Sequence, residues 1–271
     1  MNSKEAVISN IVRSVMFFTT ARHANVLDIL YIIKEQTLTI DLQADGSANV
    51  SDCLTYQSYH AATFHHTLHL LDYDIKELSV SLFDPVSQAR QDVRLCDSRE
   101  PLTYQITDVS DEYQQLQINH AAKHERVTFV FDYVIDNFVT TFSDLAELTT
   151  LQTQAGLIQE DADVTARLLL PAMKPVEELE PKEGSKPSVS AEAARPVIDD
   201  SLEGRVIVQL SHTGDQAQLV TDRNGERPMI RLAIPADAMT EQTALSVQVD
   251  PGFFPDNPNA FPEFALRQKK D

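Results

Sequence analysis

Four of the eight histidines fall within ten residues, at His60, His65, His66 and His69. Imidazoles four residues apart on a helix meet on one face and can share a zinc ion. Phe64 to Tyr73 reads instead as extended chain. At ~3.3 Å per residue His65 and His69 stand about 13 Å apart, with His66 on the opposite face. Two ligands held about 2.1 Å from one metal do not span that distance. The expectation is a solvated strand face rather than a metal site. His120 and His124, in NHAAKHER, repeat the spacing in what reads as a hairpin loop, where Lys123 and Arg126 would repel a dication.

Carboxylates gather at Asp108, Asp111 and Glu112, and again at Asp132, Asp136 and Asp144. Neither group has the spaced ligands and central glycine of a calcium loop. A glycosidase needs two carboxylates ~5–10 Å apart in a cleft, a geometry that sequence spacing does not define. No GxSxG, P-loop or GxGxxG occurs, and only seven glycines are present, so nucleophile elbows and phosphate cradles lack their usual backbone. No catalytic residue, cofactor or metal ligand is therefore expected, and the chain reads as non-enzymatic.

Charge narrows the partners. Twenty-two Lys and Arg against 41 Asp and Glu leave a formal net of −19. That balance argues against nucleic acid, whose binders need a basic face to displace counterions, and against charge docking on an anionic leaflet. Cys53 and Cys96 are the only cysteines. They read as two small buried hydrophobes, or alternatively as one bridge between neighbouring strands in an oxidising compartment.

The elements that would position these residues are mostly strands. Residues 7, 8, 11, 12, 15 and 16 form an apolar stripe of helical period between Glu5 and Phe17, one short amphipathic helix. A second apolar stretch, Val26 to Ile33, ends at Lys34-Glu35. Neither stretch reads as a signal peptide or approaches the ~20 apolar residues of a membrane span. Leu38, Ile40 and Leu42 then alternate with polar residues up to Asp45-Gly46, a hairpin turn, and Val50, Cys53, Leu54 and Tyr56 carry the return strand. Leu78, Val80 and Leu82 alternate before the Asp84-Pro85 turn, and short strands follow at Val93–Cys96, Leu102–Ile106 and Leu116–Ile118. Arg126 to Ile135 is the strongest strand, with Val127, Phe129, Phe131 and Tyr133 on one face. Asp144 to Leu151 reads as a brief acidic turn or helix, and Val164 to Leu170 as a strand closed by Pro171. Further strands fall at Arg205–Leu210, Ala217–Thr221, Met229–Ile234 and Ala244–Val249, with Asn224-Gly225 as a hairpin turn.

This spacing predicts an all-β, sandwich-like module with a short N-terminal helix and a disordered acidic insertion. The helix and a lead-in strand take residues 1–35, and the sandwich takes 36–173. A flexible linker, 174–203, is rich in Pro, Glu, Ser and Lys and too poor in apolar side chains to order. Residues 204–256 complete the module or form a small second sheet. The proline-rich tail, 257–271, reads as unfolded.

Several of these segments share a further pattern. Asp45-Gly46-Ser47-Ala48-Asn49-Val50-Ser51, followed by Leu54-Thr55-Tyr56, resembles the D-G-S-x-x-V-x-E-x-x-x-Y hairpin that opens the extracytoplasmic part of a family of predicted membrane proteins, domain of unknown function 2207. Thr128 to Ile135 is similar to that family's T-F/Y-x-I-x-Y-x-V strand, and Asp144-Leu145-Ala146-Glu147-Leu148 to its D-x-A-E-L segment. Leu168 to Pro171 resembles its V-x-L-P strand, and Thr243 to Phe254 its T-x-x-E-x-R-V-x-F-P end. The family's acidic position after the hairpin falls on Asp52 or Cys53, according to register, and the Y-W that commonly follows D-x-A-E-L is Thr149-Thr150 here.

The resemblance implies a β-sandwich at the extracytoplasmic face of a cell membrane and no reaction. The expected function is a non-enzymatic interaction domain for a protein or envelope partner. An envelope-polymer hydrolase with a carboxylate pair, or a structural part of a virion or secretion apparatus, is the alternative. A cytoplasmic location is the alternative drawn from the missing signal and span.

Overall fold

The computed structural model describes residues 31–59, 61–69, 75–110, 113–142, 146–148, 158–172, 206–211, 218–224, 227–234, 244–258 and 260–261. The expected N-terminal helix (5–17) and the acidic linker (174–203, up to residue 205) lie outside them. Among the described residues the chain is nearly all β. The first strands are β1 (Tyr31–Leu42), β2 (Ala48–Ser58), β3 (Ala61–His69), β4 (Ile75–Asp84), β5 (Ala89–Leu95), β6 (Thr103–Ser110), β7 (Tyr113–Ala122) and β8 (Arg126–Ile135). After them come β9 (Val139–Phe142), β10 (Ala146–Leu148), β11 (Ile158–Leu169), β12 (Val206–Ser211), β13 (Gln218–Asn224), β14 (Arg227–Ile234), β15 (Ala244–Val249) and β16 (Ala260–Phe261).

Eleven strands hydrogen-bond in one mixed sheet, in the order β13-β14-β11-β1-β2-β8-β4-β5-β6-β7-β3, and five more in the order β12-β15-β10-β9-β16. Where a sandwich-like module is expected, the described strands hydrogen-bond as one long mixed sheet and a smaller one. The long sheet curls. β3 lies five places from β8, which in a flat sheet at ~4.8 Å per strand would be about 24 Å away. Yet the Phe64 ring of β3 is 5.3 Å from Phe129 of β8, and the His66 ring is 4.0 Å from Phe131. The sheet therefore folds over its own face through β5 and β6, which pair only at Arg94 and Leu95.

Consecutive strands β2 and β3 are accordingly not hydrogen-bonded neighbours but an arch from one layer to the other. Ser58 secures the arch: its Oγ donates to Ala122 O (2.8 Å) and accepts from Ala61 N (3.1 Å), while its own N–H donates to Glu125 O. Between the layers the core closes around Tyr56, Phe64 and Phe129, which meet mostly edge to face.

Strands beyond residue 205 pair with strands before residue 173. β14 is antiparallel to β11 and β15 to β10. Two expectations are corrected. The acidic segment 144–151 contains the short strand β10 rather than a turn or helix alone, because it lies between β9 and β15 and both supply partners. The tail is not unfolded at its start. Asn257 is buried, and its amide donates to Val139 O (2.9 Å) and Thr141 Oγ1 (2.8 Å), while β16 pairs with β9. Asn257 also rests on Gly46, where the backbone has φ +82° and a Cβ would fall 2.6 Å from the amide nitrogen.

Candidate functional site

Two polar arrangements flank the middle of the long sheet, one on each face of β2. Strand alternation creates both. Ala48, Val50, Asp52, Leu54, Tyr56 and Ser58 turn inward, while Asn49, Ser51, Cys53 and Thr55 turn outward.

The inner arrangement is a buried carboxylate with an amide and an imidazole. Asp52 (5% exposed) stands in the apolar row of β2, Gln36 (3%) in that of β1 and His66 (3%) in that of β3. Gln36 Nε2 donates to both carboxylate oxygens, at 3.0 and 3.2 Å. His66 Nε2 is 3.7 Å from Asp52 Oδ2, and the imidazole stacks on Phe131 at 25°. Burial pushes the Asp52 carboxyl up to about 7, the Gln36 amide opposing it. The surrounding phenols are also driven up by burial, Tyr56 and Tyr133 both feeling the Asp52 charge as well. Gln36 Oε1 is buried without a hydrogen-bond partner.

The outer arrangement is an open groove of about 380 Å³ across β1, β2 and β8, lined among others by Thr39, Asp41, Asn49, Ser51, Glu77 and Asp132. Glu77 reaches it from a bulge in β4, where register shifts between Lys76 and Ser79 and the Glu77 backbone takes φ 53°. The carboxylates are mostly engaged. Asp132 accepts from Arg90 (2.7 Å) and Ser51 (2.6 Å), and Asp41 pairs with Arg227. The same face continues over β11 and β14, where exposed Arg167 and Arg231 stand directly opposite one another.

The residues singled out in the sequence are dispersed. β3 is extended, and His65 and His66 point to opposite faces, as the spacing predicts. His66 is nevertheless buried rather than on a solvated face. His65 hydrogen-bonds the Tyr31 hydroxyl through Nδ1 (3.3 Å), and burial lowers its pKa. His60 lies outside the described residues, as do Asp111, Glu112 and Asp144.

His120 is not in a loop. It belongs to β7, half-buried against Phe64 and Phe129, and its pKa is lowered by that burial. His124 is exposed in the turn that follows, at φ 54°. Asp108 falls on β6, and Asp136 pairs with Lys76. Among the described residues no group of three or more His, Cys, Asp or Glu is placed to hold a metal ion.

Both cysteines are free, and neither is the fully buried hydrophobe expected. Cys53 is half-buried on the outer face, and burial with the nearby Asp52 charge pushes its thiol up to about 11. Cys96 is exposed beyond β5, and the Ser98 hydroxyl and N–H lower its thiol pKa.

Sequence reasoning missed the inner trio, although the signal was present. Asp52 is in phase with Val50, Leu54 and Tyr56, Gln36 with Leu38, Ile40 and Leu42, and His66 with Phe64 and Leu68. A polar residue in an apolar phase marks a buried polar group.

A strand-built, nearly all-β domain with this DGS hairpin is the class to which fold and sequence point. Residues 33–232 match the family described as a predicted membrane protein (DUF2207), N-terminal domain, and the chain belongs to it. No helix among the described residues is long and apolar enough to cross a membrane. A search of curated proteins finds no match.

Solved structures with similar strand arrangements include a candidate protease from Parabacteroides distasonis (9% identity, TM-score 0.43), covering 82% of this chain and 41% of that one. A candidate nutrient-binding protein from Legionella pneumophila (7%, 0.44) covers 80% and 67%. An M1 zinc metallopeptidase from Deinococcus radiodurans (9%, 0.38) covers 80% and 42%. The chain thus spans about two fifths of the first and third of these proteins.

Proposed function

We propose that this domain is a non-enzymatic binding module on the extracytoplasmic side of a membrane, taking a protein or envelope ligand on the outer face of β1, β2 and β8. One observation carries this reading: the two polar arrangements divide accessibility and acid chemistry between opposite faces. A carboxyl with the raised pKa that a general acid needs is Asp52, enclosed at 5% exposure with no second carboxylate beside it among the described residues. The groups that solvent reaches are hydroxyls, an amide and carboxylates in an open groove, of which Asp41 and Asp132 are ion-paired. Such a surface offers hydrogen bonds and charge of both signs to a ligand and encloses no reacting atom. Membership of a predicted membrane protein family supports the location.

The test is site-specific photocrosslinking in intact cells. A photoreactive residue replaces Asn49, exposed at the groove, or Gln88, exposed at the β4–β5 tip. The expected result is one discrete adduct from position 49, absent from position 88 and digested by protease added outside the cells. Adducts at both positions alike would remove the groove from the account. Protection from external protease would remove the extracytoplasmic location. Turnover of a wall polymer by the purified chain, lost in Asp52→Asn, would favour the hydrolase reading instead.

A further inference from the structure

We propose that Asp52 and His66 share one proton across the interface between the two layers of the curled sheet, forming a latch that fastens β3 onto β2 and β8. The geometry is specific to that role. The two side chains come from consecutive strands joined by the Ser58 arch, yet they meet only because the layers stack. His66 Nε2 and Asp52 Oδ2 are 3.7 Å apart, an ion-pair rather than a hydrogen-bond distance, in a site where each residue is 5% exposed or less. Gln36 holds the carboxylate by both oxygens, and Phe131 fixes the plane of the imidazole.

Among the described residues around Asp52, the titratable groups other than His66 ionise outside the range of pH 4 to 8. Facing Asp52 are Gln36 and Leu38 from β1, His66 from β3, Phe131 and Tyr133 from β8 and Tyr56 from its own strand, with Cys53 next to it on the outer face. Leu116 of β7 lies opposite His66. Tyr56 and Tyr133 ionise far above this range, and Cys53 at about 11. Glu35, Arg90 and Asp132 act on Cys53 from the outer side. The other half-buried imidazoles, His65 and His120, lie against Tyr31 and the Phe64–Phe129 rings.

The chemistry balances as one proton. Carboxyl with imidazole and carboxylate with imidazolium are two arrangements of the same one-proton state, and burial favours the uncharged one, with the proton on Asp52. Its loss to solvent leaves a carboxylate beside a neutral imidazole in a desolvated site. For Asp52 taken without its partner the sign is definite. A carboxyl raised to about 7 from its ordinary 3.8 contributes stability fully present below pH ~4 and lost as pH rises through about 7. An imidazole that supplies or accepts the same proton cancels much of that slope.

The experiment compares pH profiles of unfolding for the whole chain, with a direct view of the carboxyl. His66→Gln leaves Asp52 to hold its own proton, and its unfolding constant should rise by about tenfold per pH unit between pH 4.5 and 6.5. Wild type should rise far less over that range, and Asp52→Asn should show no such rise. In parallel, infrared spectra of wild type should show a protonated-carboxyl band that persists well above pH 5 and disappears in Asp52→Asn. Parallel profiles for wild type and His66→Gln, or a rise retained in Asp52→Asn, would overturn the latch. So would a carboxyl band absent from wild type at pH 5, which remains decisive where a variant does not fold.

Discussion

Gly46→Ala tests how the C-terminal segment is tied to the DGS hairpin, and its cost can be worked from the structure. Gly46 has φ +82°, and a side chain in that region costs roughly 1–2 kcal/mol. The added methyl would also sit 2.6 Å from Asn257 Nδ2, 2.7 Å from its Cγ and 2.9 Å from its Oδ1. Asn257 must then retreat, releasing Val139 O and Thr141 Oγ1. Leaving a buried acceptor unpaired costs about 1–3 kcal/mol. The expected total is roughly 2–5 kcal/mol, read as a lower urea midpoint at unchanged slope.

Asn257→Ala removes the atoms the methyl would strike. In that background Gly46→Ala should cost only its backbone share, and the double-mutant cycle should show a coupling of about 1–3 kcal/mol. Equal costs of Gly46→Ala in both backgrounds would refute the reasoning. The strain would then be purely local, and the tail would not bear on the hairpin.

Three further outcomes are expected. Ser58→Ala removes the hydroxyl that holds Ala122 O and Ala61 N at the arch; it should lower stability by about 1–3 kcal/mol and speed amide exchange in β3 before β1. Phe64→Ala empties the centre of the ring cluster with Tyr31, Tyr56 and Phe129; a loss of about 3–5 kcal/mol in chemical denaturation is expected, and a change under 1 kcal/mol would mean that the layers are not packed as described. Maleimide at pH 7 should label Cys96 well before Cys53, since one thiol is exposed with its pKa lowered and the other half-buried with its pKa raised; mass spectrometry of peptides reads the order.

Much of the fold was legible because strand alternation is local. Arg126–Ile135 appears with the bounds expected, the Asp84-Pro85 turn is held by Val86 N and Ser87 Oγ on the Asp84 carboxylate, and β13 and β14 pair up to Asn224 and Arg227 beside the expected turn. β1 was legible from Leu38 onward but not at its start, where a register shift between Ile33 and Glu35 resets the inward phase. His120 was misread because its burial comes from Phe64 and Phe129, far away in sequence. The buried trio lay in the alternation itself, but a polar side chain in an apolar phase discloses only that it is buried and not what it meets.

By itself, then, the sequence determined that the chain is nearly all β, where most of its longer strands run and which family the chain belongs to, since each depends on side chains a few residues apart or on motif order. Tertiary structure alone decided that β2 and β3 belong to different layers, that β14 pairs with β11 and β15 with β10, and that Asp52 meets His66. Those outcomes depend on where the sheet curls, and no local pattern encodes that. The curl is settled by which apolar faces bury each other best, a property of the whole chain.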